Sequence, residues 1–163
     1  MISKTAQWYV CKIRYDKLDG DNTYKKVTEQ FVIDALSFTE AEERIISEVS
    51  QYIHSDFEVR DITLAPYKEV WFSGEISDDR WYKAKLAYIS IDEKTQKEKR
   101  SSLSYLVEAQ TMRRAVHNIE MVMDSSMLNY LITSVVETQI IDVFEYKPKS
   151  DERGKDTAAN ADA

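Results

Sequence analysis

The chain has 163 residues, a net charge of −7 and a sequence pI of ≈ 5.0, with 43% apolar and 11% aromatic residues. That is enough apolar material for a packed core, while the longest apolar runs fall far short of the ~18 residues of a membrane-spanning helix. Acids outnumber bases in both halves, so bulk electrostatics does not favour nucleic acid or an anionic membrane surface.

Only three glycines and two prolines are present, which points to long regular elements and few tight turns. The single cysteine excludes an internal disulfide. Residues Met1 to Gln7 lack the hydrophobic core of a signal peptide. The expectation is a soluble protein of a reducing compartment, the cytoplasm, with no membrane partner.

The first element is a strand over residues 8–16. Tyr9, Cys11, Ile13 and Tyr15 alternate with Trp8, Val10, Lys12 and Arg14, the period-2 pattern of a half-buried strand. Asp19-Gly20-Asp21-Asn22 marks a turn, and a second strand follows from Val27 to Asp34. Its two faces, Phe31 and Ile33 against Val32, are both apolar, so it is expected to be central in its sheet. Ser37-Phe38-Thr39-Glu40 fits a capping box, with the Ser37 hydroxyl accepting the Glu40 amide and Glu40 answering the Ser37 amide. Phe38, Ala41, Ile45, Val49 and Tyr52 or Ile53 then form a helical apolar stripe. An extended stretch from Phe57 to Phe72 ends the unit, with Pro66 bending or splitting it.

The whole pattern then repeats, so that Trp8 to Trp71 and Trp81 to Phe144 read as two copies of one unit. Tyr82, Ala84, Leu86 and Tyr88 repeat the buried face of the first strand, and Tyr105, Leu106 and Val107 repeat Phe31, Val32 and Ile33. Thr111 caps a second helix striped by Met112, Ala115, Ile119 and Met123, and Tyr130 to Tyr146 repeats the extended stretch. The first loop is one residue longer in the second copy and, from Asp92 to Lys99, contains no glycine. Residues 1–73 form repeat 1, 74–80 a linker, 81–146 repeat 2, and 147–163 a tail without apolar content, expected to be disordered. The expected fold is α+β: two tandem β-β-α-β(-β) repeats related by a pseudo-two-fold, mainly antiparallel, with one helix per repeat.

The run Trp8-Tyr9-Val10-Cys11-Lys12-Ile13-Arg14-Tyr15 resembles an uncharacterised Bacteroidota family, domain-of-unknown-function family 4494. So does the stretch from Lys26-Val27-Thr28-Glu29-Gln30-Phe31 through Ala35-Leu36-Ser37-Phe38-Thr39-Glu40-Ala41-Glu42. The resemblance covers about two thirds of the chain and implies no activity, so it assigns no functional residue.

Chemistry finds little support. Cys11, His54 and His117 are too far apart for a zinc site. Cys11 stands where the other copy has Ala84, the place of a small core residue. His54 falls at a helix end, where an imidazolium would meet the dipole favourably, and His117 on an exposed helix face. No glycine-rich phosphate loop or nucleophile elbow is present. Asp16, Asp19 and Asp21 lack the terminal bidentate carboxylate of a calcium loop and read as a hairpin turn. Asp92-Glu93-Lys94, with Asp78 and Asp79 upstream, has the residue types of a nuclease metal site but lies in a loop rather than on a strand. No catalytic residue, metal or cofactor is therefore expected, and the protein is read as a non-enzyme.

Two surface features remain. Arg113 and Arg114 begin the second helix where the first has Thr39 and Glu40, against the dipole by ~0.3–1 kcal/mol each; with Lys97, Lys99 and Arg100 they suggest a basic patch or an ordinary solvated face. Trp8, Lys12 and Arg14, with Trp81, Lys83 and Lys85, place aromatics beside cations on the outer strand faces. Single-strand binders combine these two elements, each stacked base contributing ~1–3 kcal/mol. The plainer reading is that each Trp packs against the long extended segments, as Trp71 and Phe144 at matching positions suggest. The function expected is a cytoplasmic binding or adaptor module for a protein partner, acting as monomer or homodimer, with single-stranded nucleic acid as the alternative ligand.

Overall fold

The computed structural model describes residues 6–146; the tail expected to be disordered lies outside them. Ten elements follow in order: β1 (Gln7–Leu18), β2 (Tyr24–Ala35), α1 (Phe38–Val49), β3 (Phe57–Leu64), β4 (Tyr67–Trp71), β5 (Arg80–Ile91), β6 (Glu98–Ala109), α2 (Met112–Met123), β7 (Tyr130–Glu137) and β8 (Ile140–Phe144). The fold is the expected duplicated α+β arrangement. The strands β1 and β2 are longer than their apolar cores require, because the hairpin zips to its turn at Asp19–Asn22. There the Asp19 carboxylate accepts the Gly20 amide, while Asp16 lies within β1 opposite Lys26.

The halves exchange their last strands. One sheet has the order β3-β1-β2-β8 and the other β4-β6-β5-β7. Each sheet is antiparallel except where the strand from the opposite half joins it, β8 parallel to β2 and β4 parallel to β6. The double-sided apolar strands β2 and β6 are central, as their composition requires. Of the two strands that end the first half, β4 crosses to the second sheet while β3 stays on β1.

The switch between sheets is built alike in both halves. After β3 the Ala65 amide donates to the Trp8 carbonyl (2.8 Å), and after β7 the Thr138 amide donates to the Trp81 carbonyl (2.9 Å). Pro66 then ends the first ladder, having no N–H to continue it. In the second half Thr138 does this work with its hydroxyl, which donates to the Trp81 carbonyl and accepts the Ile140 amide.

Three apolar clusters result. Ala41, Ile45 and Val49 of α1 pack on Tyr9, Cys11, Ile13, Phe31 and Ile33, joined by Phe144 from the other half. Ala115, Ile119 and Met123 of α2 pack on Tyr82, Ala84, Leu86, Tyr105 and Val107, joined by Trp71. The third lies between the sheets: Val32, Ile140 and Val143 of one face Trp81 and Leu106 of the other, with Trp8, Val10, Tyr67 and Val70 against them. The layers are thus helix, sheet, sheet, helix.

The helix starts differ in detail from expectation. Ser37 accepts the Glu40 amide (3.1 Å), but the Glu40 carboxylate reaches the Leu36 amide rather than that of Ser37. Thr111 caps α2 through the Arg114 amide. Phe38 and Met112, at the head of each stripe, are exposed. His54 lies four residues past the Ser50 cap of α1, outside the last turn where the dipole acts.

Candidate functional site

On the outer strand faces the tryptophans follow the packing reading rather than the base-stacking alternative. Trp81 is only 3% exposed, held between the sheets and met edge-on by Phe72 (5.5 Å, 87°). Trp8 is half-buried against the same cluster. Farther along these faces Lys12 and Lys85 are exposed while Arg14 and Lys83 are half-buried. Cations therefore remain on these faces, while the rings beside them are taken up by sheet packing. The Trp, Lys, Lys alternation looks amphipathic, but the apolar Val32 and Leu106 pack on a second sheet, and Trp81 and Trp8 pack there with them, as in the plainer reading of these faces.

The arginines at the start of α2 also behave differently. Arg113 is exposed, but Arg114 donates to the Asp78 carboxylate (3.2 Å), whose side chain is fully buried. Asp78 also accepts the Gln110 amide (2.8 Å) and lies 3.5 Å from the Asn118 side-chain nitrogen. The connector thus supplies the acid that the first turn of α2 lacks, offsetting the unfavourable placement of Arg114. Burial alone would raise this carboxyl, but the hydrogen bonds from Arg114 and the Gln110 amide outweigh it and hold the group below its ordinary value.

A pH dependence follows from that direction. A depressed aspartate contributes stability that is present above its unfolded value of about 3.9 and is lost as pH falls through its folded value. Urea midpoints of the wild type should therefore fall more steeply below about pH 4 than those of Asp78→Asn, which has no carboxyl to titrate. At pH 7 Asp78→Ala should lose about 2–3 kcal/mol, because the Gln110 amide and Arg114 are left without their acceptor.

The remaining candidates do not converge. Asp78 and Asp79 precede β5 and Asp92 follows it, a separation on the order of 40 Å for an extended 12-residue strand. Asp92 accepts the Lys94 amide within its own turn. Cys11 is buried, and desolvation pushes its thiol up to about 12, the state of an inert core residue. Among the described residues no three His, Cys, Asp or Glu side chains group as metal ligands.

What the fold does build is a cleft beside α2. Trp71, at the end of the exchanged strand β4, stacks on Tyr105 of β6 (4.3 Å, 18°). The Tyr105 and Tyr88 hydroxyls share a hydrogen bond (2.6 Å), and the Tyr88 hydroxyl also lies 3.8 Å from the Met123 sulfur. Burial first, then the Tyr88 hydroxyl, push the Tyr105 pKa up. Above this floor is an open space of about 580 Å³, rimmed by exposed Leu103, Val122 and Leu128 and by Glu69. On the other side of Trp71 a second hollow of about 350 Å³ is lined by Phe72, Arg114, His117 and Met121.

The first half shows why this space is open. There Phe144 stacks on Phe31 (5.9 Å, 18°) as Trp71 does on Tyr105, but Tyr52 stacks over Phe144 in turn (6.3 Å, 22°). The residue at the place of Tyr52 after α2 is Ser126, whose hydroxyl turns back to the Met123 carbonyl (2.6 Å). A serine for a tyrosine removes the cover and leaves the cleft. The mismatch of Tyr52 and Ser126 between otherwise matched copies is the sequence signal that would have found it.

Fold and cleft together define a duplicated α+β domain whose halves differ mainly in what they leave uncovered. A family profile described as Domain of unknown function (DUF4494) matches residues 7–146, and the chain belongs to that family. No curated protein and no solved structure matches it.

Proposed function

We propose that the protein is a non-enzymatic binding module of the cytoplasm that captures a protein partner through the Trp71–Tyr105 cleft. The observation that carries this reading is the loss of Tyr52's counterpart at Ser126, which opens one aromatic stack and leaves the other covered. The open space has the size of a ligand site. Its rim of exposed apolar side chains, continued by Phe72 and Met121, is the surface character of a protein contact. None of the described helices is long and apolar enough to cross a membrane. The burial of Trp81 leaves single-stranded nucleic acid without its stacking residue on the outer strand faces.

Ser126→Tyr tests the reading by restoring the cover that the first half has. The variant should melt at or slightly above the wild-type temperature, because the added ring fills an open space rather than a packed one. Used as bait beside the wild type in the native host's lysate, it should lose the bound partner. That partner, once purified, should bind wild type at least tenfold more tightly than the variant. Equal capture by both baits overturns the proposal.

A further inference from the structure

The charge around the cleft points to what enters it, an inference that rests on the reading of the cleft as a binding site. Of the residues lining the space, Glu69 alone carries a charge. Its carboxylate lies at the rim and accepts the Trp71 indole N–H (3.0 Å). The counterpart of Glu69 in β8, Asp142, instead turns back to its own neighbour and accepts the Val143 amide (2.8 Å). The acid of β4 is therefore directed at the open ring, and the acid of β8 is not directed at the covered one. No cation lines the space, and Arg114 in the adjoining hollow is committed to buried Asp78.

A space with aromatic and aliphatic walls and one carboxylate at its rim suits a cation carried on an apolar stem. Lysine and arginine lay their methylene stems along apolar surface and keep the charged head at the edge. The head is also attracted to the face of an indole. An anion entering the same space would meet Glu69 with no cation among the lining residues. We infer that the cleft takes a lysine or arginine side chain of the protein partner, flanked by apolar residues that cover Leu103, Val122 and Leu128.

The test uses the blocked tripeptides acetyl-Leu-Lys-Leu-amide, acetyl-Leu-Gln-Leu-amide and acetyl-Leu-Glu-Leu-amide, titrated into the full chain at pH 7. The readout is the Trp71 indole N–H resonance, assigned with Trp71→Phe. The lysine peptide should bind about three- to fivefold more tightly than the glutamine peptide, the range of an exposed ion pair, with the glutamate peptide weakest. The preference should shrink in 0.5 M salt, since the charges are exposed. Glu69→Gln should bring the lysine and glutamine peptides to equal affinity without weakening the glutamine peptide. Equal binding of the lysine and glutamine peptides to the wild type, or a preference that survives Glu69→Gln, overturns the inference and leaves the binding cleft standing. No shift from any peptide overturns both. Free n-hexylammonium binding more tightly than the lysine peptide overturns the assignment to a partner side chain in favour of a small amine.

Discussion

Trp81→Ala should lower stability by about 3–5 kcal/mol, the cost of emptying a large aromatic site that cannot collapse. Trp81 is 3% exposed and meets Val32, Leu106, Ile140 and Val143 between the sheets. Its ring fills space between the two sheets, and a core packed to native density does not collapse to fill such a volume. Against a total stability of about 5–15 kcal/mol, such a loss takes a large share of the whole. Lys85→Glu, on the same strand face but exposed, should stay within about 0.5 kcal/mol. Urea denaturation of the two variants separates the roles of a face that looks uniform in sequence. A Trp81→Ala cost below about 1 kcal/mol would show that the sheets are not held together there.

This contrast marks where sequence patterning stops being informative. The strand pairs, the helix caps and the helical stripes were legible because each rests on a short-range period that both copies repeat. Tyr9, Cys11, Ile13 and Tyr82, Ala84, Leu86 are buried as their alternation requires. Pro66 does separate β3 from β4. The destination of the five-residue strands was not legible, because a segment such as Tyr67–Trp71 satisfies any open edge and its composition does not say whose.

The burial of Trp81 follows the plainer reading of its face, although half-buried Lys83 and exposed Lys85, standing between Trp81 and buried Ala87, keep the pattern amphipathic. The one local hint was that Val32 and Leu106 point away from their own helices and still are apolar. For the candidate site, the residues singled out for charge proved either structural, as Arg114 is, or solvated, as Arg113 is. The cleft was legible only as a difference between copies, at a position just past each helix.

The strand exchange leads to a larger effect than any point substitution. Cut at the fully exposed Ile76, the chain yields a first fragment of residues 1–76 that keeps β1, β2, α1, β3 and β4 but loses β8. That fragment gives up Phe144 from its helix-side core, Ile140 and Val143 from its outer face, and the whole second sheet on which that face packs. Each buried apolar side chain contributes about 1.5–3 kcal/mol, so the missing three alone approach the full stability of a small domain. Its β4 meanwhile has no β6 to pair with. Neither fragment should therefore unfold cooperatively as a monomer, whereas an equimolar mixture of residues 1–76 and 77–163 should regain a single transition and bury Trp81, read by its fluorescence. Tyr67, Val70 and Trp71 of β4 match Ile140, Val143 and Phe144 of β8 in which cluster each enters. Two copies of the first fragment can for that reason trade β4 strands, and at high concentration a dimer should form. A monomeric first fragment with a cooperative transition would show that each half can close its own sheet and that the exchange is not what holds the fold together.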